Sequence, residues 1–203
     1  MLYWVAMTWI EPVTFSGVHV VLEPAAERHH ADLLAAAADE LVWTWLPWPR
    51  PRSEADVAEM LAGERAVAFP FAQIDAASGR AVGVTTYRDV DERHRTLEVG
   101  GTWLGRPWWR TAINTEAKLL FLGHAFETLG ANRVAIKTDI RNERSQAAIE
   151  RLGAKREGVL RHQYVRRDGT LRDTVLYSIV PEEWPAVRAH LCGRLQEYAC
   201  APG

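Results

Sequence analysis

The chain has 203 residues, of which 48% are hydrophobic and 25% are charged, and its formal net charge is −2 at pH 7. These totals are typical of one soluble globular domain and give no support for binding nucleic acid or an anionic membrane through bulk charge. Only Cys192 and Cys200 are cysteines, and their number and spacing indicate neither a disulfide framework nor a metal site.

The first ten residues, MLYWVAMTWI, are apolar but too short to span a membrane. They lack the basic flank and the small-residue cleavage site of a signal peptide. We therefore expect a cytoplasmic protein with no membrane partner. We divide the single domain, 1–203, into an N-terminal extension at 1–13, a central body, and a C-terminal helix and tail at 181–203.

The N-terminal third of the chain predicts one strand and two helices. The strand covers 18–23, and the first helix runs through ERHHADLLAAAADEL, 27–41. That helix ends before the closely spaced prolines of LPWPRPR. Ser53 is the expected N-cap of the second helix, and Gly63 is its expected end.

Three strands are predicted next, at 66–74, 81–88 and 96–104. Turn residues separate them, which favours an antiparallel meander. Pro70 lies inside the first of these strands and predicts an edge strand or a bulge, because proline cannot donate to a ladder.

The remaining pattern alternates helices and strands. The predicted order is a helix at 112–129, a strand at 133–139, a helix at 142–152, a hairpin of strands 158–166 and 171–180 around Asp168-Gly169, and a last helix from Pro181 to about Tyr198. A strand–helix–strand order requires a parallel pair joined by a right-handed crossover. We predict an α+β domain with a mixed, mostly antiparallel sheet, one parallel strand pair and flanking helices.

The stretch 96–120 is the first candidate for a binding site. Gly100-Gly101 inside the strand indicates a bulge or a close approach to the backbone. The helix that follows begins near 111–114 and leaves backbone N–H donors unpaired, which favours a phosphate. Arg110 adds a positive charge at that entrance. The alternative is an ordinary buried strand–helix junction.

A second helix start is expected beside the first. The two parallel strands end at 103–104 and 138–139, and helix starts follow at 110–114 and 142–145. Ligands bind beyond the carboxyl ends of parallel strands. Two helix starts facing one crevice can hold a ligand with a phosphate at one end and a reactive group at the other.

The segment KTDIRNERSQAAIERLGAKREGVLR, 137–161, makes this prediction more specific. Its Asn-x-x-Ser at a helix start, the Leu-Gly-Ala at the helix end and the Arg-Glu-Gly-Val-Leu-Arg that follows closely resemble the GNAT superfamily of acyl-CoA-dependent N-acetyltransferases. The RimJ/RimL-like branch is the most similar. The resemblance covers about 14–190 and implies acetyl-CoA as co-substrate, with no metal.

The family's phosphate loop, Gln/Arg-x-x-Gly-x-Gly/Ala, is only partly matched. Ala112 agrees with the pattern, whereas Arg110 stands at the first Gly and Pro107 at the Gln/Arg. An arginine there puts the loop path or the affinity in question, although its guanidinium could contact phosphate directly. The positions that the resemblance implies for the co-substrate are Trp103, Leu104, Arg110, Thr111, Ala112, Ile113, Asn114, Asn142 and Ser145.

The resemblance also implies two catalytic residues. Glu98 matches a strand glutamate that acts as general base, and Ser145 matches a helix serine that returns a proton to the leaving thiolate. The alternatives are an ion-paired strand carboxylate and a helix-start hydroxyl bonded to backbone. Asn142 is expected to cap its helix, to bond the CoA arm, or to do both.

The acceptor is an amine, either a small molecule or a protein N-terminus. We favour a small molecule because the aromatic loop 43–48 offers an apolar wall, and Trp45, Trp48 and Tyr164 are the candidate contacts. Structural packing is the alternative for each, and also for Tyr177. A homodimer stays open.

The histidines are scattered, and His29-His30 fall on a helix that looks exposed, so no metal is expected. The competing functional hypothesis is a catalytically silent acyl-CoA-binding or sensor module of the same fold. The altered phosphate loop supports that hypothesis, whereas the retained Glu98 and Ser145 oppose it.

Overall fold

The computed structural model describes residues 9–200, with side chains described through 198. The first eight residues of the predicted extension and the last three of the predicted tail lie outside the described residues. Within the extension, Ile10 is buried in the main core, and the Trp9 indole N–H donates to the Leu129 carbonyl at 3.0 Å. The end of the extension therefore packs against the domain body.

The strands of the described chain are β1 (Phe15–Ser16), β2 (Val20–Pro24), β3 (Ala68–Asp75), β4 (Ala81–Asp91), β5 (Thr96–Leu104), β6 (Arg133–Asp139), β7 (Lys155–Val165) and β8 (Leu171–Ile179). They form one sheet in the order β1-β2-β3-β4-β5-β6-β8-β7. Only β5 and β6 pair in parallel, and the other neighbours are antiparallel. The predicted α+β domain with a mixed sheet and one parallel pair is confirmed.

The helices are α1 (His30–Ala36), α2 (Glu54–Arg65), α3 (Ala112–Gly123), α4 (Glu143–Leu152) and α5 (Trp184–Cys200). Short 3₁₀ turns precede and follow α1, and a π-helical turn, His124–Thr128, continues α3. Gly130 and Gly153 end the helical segments before them with φ of +63° and +99°. Both positions were predicted as helix ends, since glycine tolerates the left-handed region.

The first helix was predicted too long. The continuous helix expected over 27–41 is a 3₁₀ turn, the seven-residue α1 and a second 3₁₀ turn, Glu40–Trp43, whose N-cap Asp39 accepts a hydrogen bond from the Leu41 N–H. A short polar side chain that bonds nearby backbone competes with helix continuation. His29 and His30 are buried, so the expectation that they are exposed was wrong.

Two other local predictions fail for tertiary reasons. Gly63 lies inside α2, which continues to Arg65 because Glu64 turns into the protein and the Arg65 guanidinium reaches the Ala25 carbonyl. Pro70 marks neither an edge strand nor a bulge, because β3 is an interior strand. It lies one residue beyond the last pair between β2 and β3, Pro24 with Phe71, and its carbonyl accepts a hydrogen bond from the Ala25 N–H at 2.9 Å.

The two faces of the sheet carry separate hydrophobic clusters. Leu97 and Val99 of β5 belong to a large cluster with Phe121 of α3 and Ile149 of α4. Trp103 belongs to a smaller cluster that includes side chains of α1, α2 and the loop after α1. Because side chains alternate along a strand, Glu98 faces away from α3 and α4, toward the side of the sheet that α2 covers.

Candidate active site

A bulge and a strand separation meet in β5. Pairing with β4 shifts between Thr86 opposite Gly100 and Val84 opposite Trp103, and Gly101 has φ of +55°. Parallel pairing with β6 covers only Thr96 to Glu98. The carboxyl halves of β5 and β6 are therefore free to receive a ligand between them, as the Gly100-Gly101 pair predicts.

The two helix starts that lead away from this opening are neighbours. The Arg144 guanidinium in the first turn of α4 lies 3.5 Å from the centre of the Trp109 ring, in the loop that enters α3. Arg106 lies over the same ring at 4.5 Å. The adjacency predicted for 110–114 and 142–145 is present, and it includes a cation–π contact that sequence spacing did not reveal.

Positive charge accumulates at these helix starts. Burial, followed by the proximity of Arg106 and Arg110, lowers the pKa of Arg144. Like charges held together, with no ion pair to a carboxylate within residues 9–198, favour an anion, and the N-terminus of α3 adds partial positive charge. The Thr111 hydroxyl donates to the Trp108 carbonyl at 2.9 Å and does not cap that terminus.

Arg110, at the position where the resemblance implies a glycine, has a backbone conformation that favours glycine. Its φ is +62°, in the left-handed region that favours glycine. The loop path therefore follows the conformation that glycine favours, with an arginine present. Holding a long side chain there costs about 1–2 kcal/mol.

The other residues that the resemblance implies for the co-substrate lie at the starts of α3 and α4. Ala112 and Ile113 are buried in the first turn of α3, and Asn114 is half-buried. Asn142 caps α4, because its Oδ1 accepts from the Ser145 N–H at 3.1 Å. The Ser145 hydroxyl is half-buried and makes no hydrogen bond within the described chain, so it is not bonded to backbone.

Trp103 and Leu104 point their side chains into the core. The centres of the Trp103 and Trp43 rings lie 5.0 Å apart. The backbone carbonyl of Trp103 accepts a hydrogen bond from the Gln73 side chain at 3.2 Å. The Leu104 carbonyl accepts from the Trp109 indole N–H at 2.7 Å. Only backbone groups of these two residues could therefore meet a ligand.

Glu98 lies at the base of the strand separation and is buried. Its Oε2 is 2.7 Å from the Lys137 Nζ, and Lys137 also donates to Asp89 at 2.7 Å. Burial raises the pKa of Glu98, although Lys137 opposes the shift. A cavity of about 220 Å³ is lined by these three side chains and Leu176, so solvent or a ligand can approach the carboxylate.

Sequence inspection missed two buried ionisable residues near the bulge. Glu64 of α2 is buried on the face that Glu98 shares, with Arg88 the nearest cation at 3.9 Å. Lys118 of α3 is buried on the opposite face and donates to the Thr102 hydroxyl at 2.9 Å, and burial lowers its pKa to about 7. In both cases the sequence did contain a signal. A charged residue stands at a helix position where the periodicity predicts a buried apolar side chain.

The predicted aromatic contacts differ in their exposure and packing. Tyr164 is half exposed, and the Arg172 guanidinium lies 5.3 Å from its ring. Trp48 packs against the smaller hydrophobic cluster, whereas Trp45 is half-buried and outside both clusters. Tyr177 is buried in the core and its hydroxyl lies 3.0 Å from the Glu150 carboxylate, as the packing alternative predicts.

The aromatic loop 43–48 and the β7–β8 hairpin meet above the open half of the sheet. The Arg167 guanidinium donates to the Trp43 carbonyl at 2.8 Å, and it thereby connects the hairpin turn to the loop. Nearby, Arg166 holds the buried carboxylate of Asp139 through two bonds of 2.7 and 2.9 Å. These contacts give the open face a defined upper wall.

Within residues 9–200, no group of three or more His, Cys, Asp and Glu side chains is arranged to hold a metal ion. None of the helices described between these limits combines the length and apolar character that crossing a bilayer requires.

A sheet that opens beside two positively charged helix starts, with a buried carboxylate on its face, can hold a long anionic ligand. The family model described as "Acetyltransferase (GNAT) domain" matches residues 19–155. The chain belongs to this family, which confirms the resemblance found in 137–161.

Individual relatives agree with this assignment. A GCN5-related N-acetyltransferase from Brucella melitensis is 32% identical, with a TM-score of 0.87 over 92% of this chain and 86% of that one. Mycobacterium smegmatis RimJ in complex with CoA-disulfide has a TM-score of 0.77 over 90% of this chain and 95% of that one, and at 23% identity it shows the fold alone.

Among curated proteins, YdaF of Bacillus subtilis (strain 168), provisionally named a ribosomal N-acetyltransferase, is 36% identical over 107 residues. The match covers 52% of this chain and 57% of YdaF, so the chain spans little more than half the length of that relative. YdaF supports the RimJ/RimL-like branch.

Proposed function

We propose that this protein transfers an acetyl group from acetyl-CoA to a primary amine. The observation that carries the proposal is the contact between Arg144 and Trp109, which brings the starts of α3 and α4 together at the opening between β5 and β6. An anion-binding crevice thus leads to a strand gap whose base holds the buried Glu98. Family membership supports the same chemistry.

The helix starts would hold the co-substrate. Backbone N–H groups at Thr111 to Asn114 suit the pyrophosphate, and the guanidinium of Arg110 adds a fork that matches phosphate oxygens. Asn142 would bond the CoA arm while it caps α4. The N–H groups of Trp103 and Leu104 would bond the pantetheine and polarise the thioester carbonyl.

Two side chains would manage the protons. The acceptor ammonium loses a proton to Glu98, directly or through water, and the resulting amine attacks the thioester carbonyl. Collapse of the tetrahedral intermediate breaks the carbon–sulfur bond. The Ser145 hydroxyl gives a proton to the leaving thiolate and regains one from the newly acylated nitrogen, so that charge and atoms balance.

The names of two relatives bear on the class of acceptor. YdaF is provisionally named a ribosomal N-acetyltransferase, and a Vibrio cholerae protein of 20% identity is provisionally named a ribosomal-protein-serine acetyltransferase. These names favour a protein N-terminus over the small molecule that the aromatic loop suggested. Half-exposed Tyr164 and Trp45 would contact either acceptor. A cytoplasmic location fits this role and stays a prediction.

A silent acyl-CoA-binding module is the second candidate, and the strained Arg110 in the phosphate loop is the observation that favours it. Thermal-shift titration with acetyl-CoA and CoA, followed by thiol release across peptides with free N-termini and small amines, separates the two. We expect stabilisation by both ligands and thiol release with at least one acceptor. Binding without turnover would support the silent module, and absence of binding would contradict both.

Ser145→Ala tests the proton donor. We expect turnover to fall by about tenfold to a hundredfold while the affinity for CoA stays unchanged, because the hydroxyl acts only as the thiolate departs. Glu182→Gln, an exposed change away from the crevice, is the control. A loss of CoA affinity equal to the loss of turnover would assign Ser145 to binding.

A further inference from the structure

Glu64 is a buried carboxylate whose charge is poorly matched. The residue is 5% exposed, and its Oε2 has no hydrogen-bond partner in the described part of the chain. Its Oε1 lies 3.9 Å from the nearest cation, Arg88 Nη2, which is beyond hydrogen-bond length. By contrast Glu116, which is 6% exposed, accepts from the backbone N–H groups of Val18, His19 and Val20.

An unpaired buried carboxylate destabilises a folded chain. Removing the charge from water without a compensating hydrogen bond is unfavourable, and the group responds by holding a proton more tightly. Burial raises the pKa of Glu64 despite the opposing effect of Arg88. Such a group is stable in its ionised form only when a cation joins it.

The position of Glu64 places it at the proposed reaction site. Its Oε2 lies 3.2 Å from the point that a Cβ on Gly101 would occupy, against the bulge of β5. The Glu98 Oε1 lies 2.5 Å from the corresponding point on Gly100. The two carboxylates therefore flank the two bulge glycines, and only glycine leaves both in place.

The neighbouring polar groups do not satisfy Glu64. The Thr86 hydroxyl, which is also beside the bulge, donates to the Gly100 carbonyl at 2.9 Å. Lys137 is bonded to Glu98 and Asp89. The closest approach of Arg88 is 3.9 Å, from Nη2 to Oε1, and the buried Oε2 of Glu64 has no hydrogen-bond partner in the described part of the chain.

We propose that Glu64 binds the ammonium group of the acceptor and makes the enzyme selective for amines that arrive as cations. This inference rests on the proposed acetyl transfer and adds a substrate class to it. Glu64 supplies the counter-charge that holds the ammonium beside the bulge, and Glu98 takes its proton. An uncharged amine gains nothing from Glu64.

Two isomeric acceptors test the selectivity: 2-phenylethylamine, an ammonium at pH 7, and 4-ethylaniline, which is uncharged at that pH. We expect Glu64→Gln to raise KM for 2-phenylethylamine by about tenfold to a hundredfold with a smaller change in kcat. KM for 4-ethylaniline should not change. The exposed Glu59→Gln on the same helix is the control and should alter neither.

Thermal unfolding supplies a measurement that does not need turnover. We expect Glu64→Gln to raise Tm at pH 7, and 2-phenylethylamine in the presence of CoA to raise Tm only in the protein that retains Glu64. The gain in Tm of the Glu64→Gln variant should shrink as pH falls. A carboxyl group whose pKa is raised in the folded protein destabilises the fold only at pH values where it is ionised.

The outcomes separate the two proposals. Absence of thiol release from the unaltered protein with every acceptor, together with absence of CoA binding, would overturn the transferase proposal. Retained turnover with equal KM changes for both isomers, or a lowered Tm in Glu64→Gln, would overturn the role of Glu64 and assign it to structural pairing with Arg88.

Discussion

The two candidate ligand regions of this protein carry opposite charge and differ in how that charge is compensated. At the helix starts, Arg106 and Arg144 lie over the Trp109 ring, and Arg110 is close enough to help lower the pKa of Arg144. On the sheet face shared with α2, Glu64 and Glu98 are buried beside the bulge, and only Glu98 has a close cation.

The difference matches the two substrates of an acetyl transfer. In the proposed reaction a polyanionic co-substrate would compensate the arginines, and a cationic amine would compensate Glu64, since Glu98 already has Lys137 as its cation. The strand gap between β5 and β6 is where the two reacting groups would meet. If the comparison is right, variants in one region should change one ligand only.

The largest expected effect is on the acidic side. We expect Glu98→Gln to lower kcat by about 100-fold or more at neutral pH, because the acceptor loses its proton acceptor. Burial raises the pKa of Glu98, so activity of the unaltered enzyme should fall as pH drops through that raised value. Steady-state pH profiles with one peptide acceptor provide the measurement.

The loss in Glu98→Gln should be smaller at high pH, where water deprotonates more of the amine. CoA affinity should match that of the Glu182→Gln control. An equal loss at every pH would remove Glu98 as the base, and weakened CoA binding would show that the two regions are not separable.

The second effect concerns Lys118, a buried lysine on the α3 side that forms no ion pair with any carboxylate of the described residues. Burial lowers its pKa from the ordinary value of 10.5 to about 7. We expect Lys118→Met to stabilise the protein by about 2–4 kcal/mol at pH 7. The gain should be full below pH 7 and should disappear as pH approaches 10.5, since unfolded lysine is then also neutral.

Denaturant unfolding across pH measures this effect. Lys155→Met, at a side chain that is 75% exposed, is the matched control and should change stability little. A gain that does not depend on pH would show that packing, and not protonation, distinguishes the variant.

The third effect belongs to the cationic side. Arg144→Gln should weaken CoA by about tenfold, through loss of a phosphate contact and of the stacking on Trp109. Calorimetric titration at two salt concentrations should show a smaller salt dependence in the variant, because fewer charges are screened. The exposed Arg161→Gln is the control. A change in KM for the amine acceptor alone would reverse the assignment of the two regions.

The smallest effect separates strain from charge at Arg110. We expect Arg110→Gly to raise stability by about 1 kcal/mol, since glycine adopts a φ of +62° without strain, while CoA binds more weakly. Arg110→Ala should lose the same affinity without gaining stability. Equal stability of the two variants, measured by thermal unfolding, would show that the loop is not strained.

Sequence periodicity and turn residues were sufficient for most of the fold. The bounds of β5 and β6 match the predicted ones residue for residue, because alternation and β-branched residues mark strands, and the helix ends at Gly130 and Gly153 follow from left-handed backbone. Local rules failed where tertiary contacts outweighed them. Examples are Gly63 inside α2 and the divided helix at 27–41.

The sequence likewise predicted one part of the candidate site and not the other. The resemblance in 137–161 located Ser145 and the cap at Asn142, and the Gly100-Gly101 pair located the bulge. No spacing rule connects Arg144 to Trp109, Lys137 to Glu98, or Glu64 to Gly101, since each pair joins elements that are distant in sequence.

The sequence by itself determined the order of elements, the family and the positions at which backbone donors are left free. Tertiary structure alone decided which charges are compensated. A side chain's contribution to electrostatics depends on its burial and on partners within a few ångströms, and those neighbours are supplied by packing between elements that periodicity cannot relate.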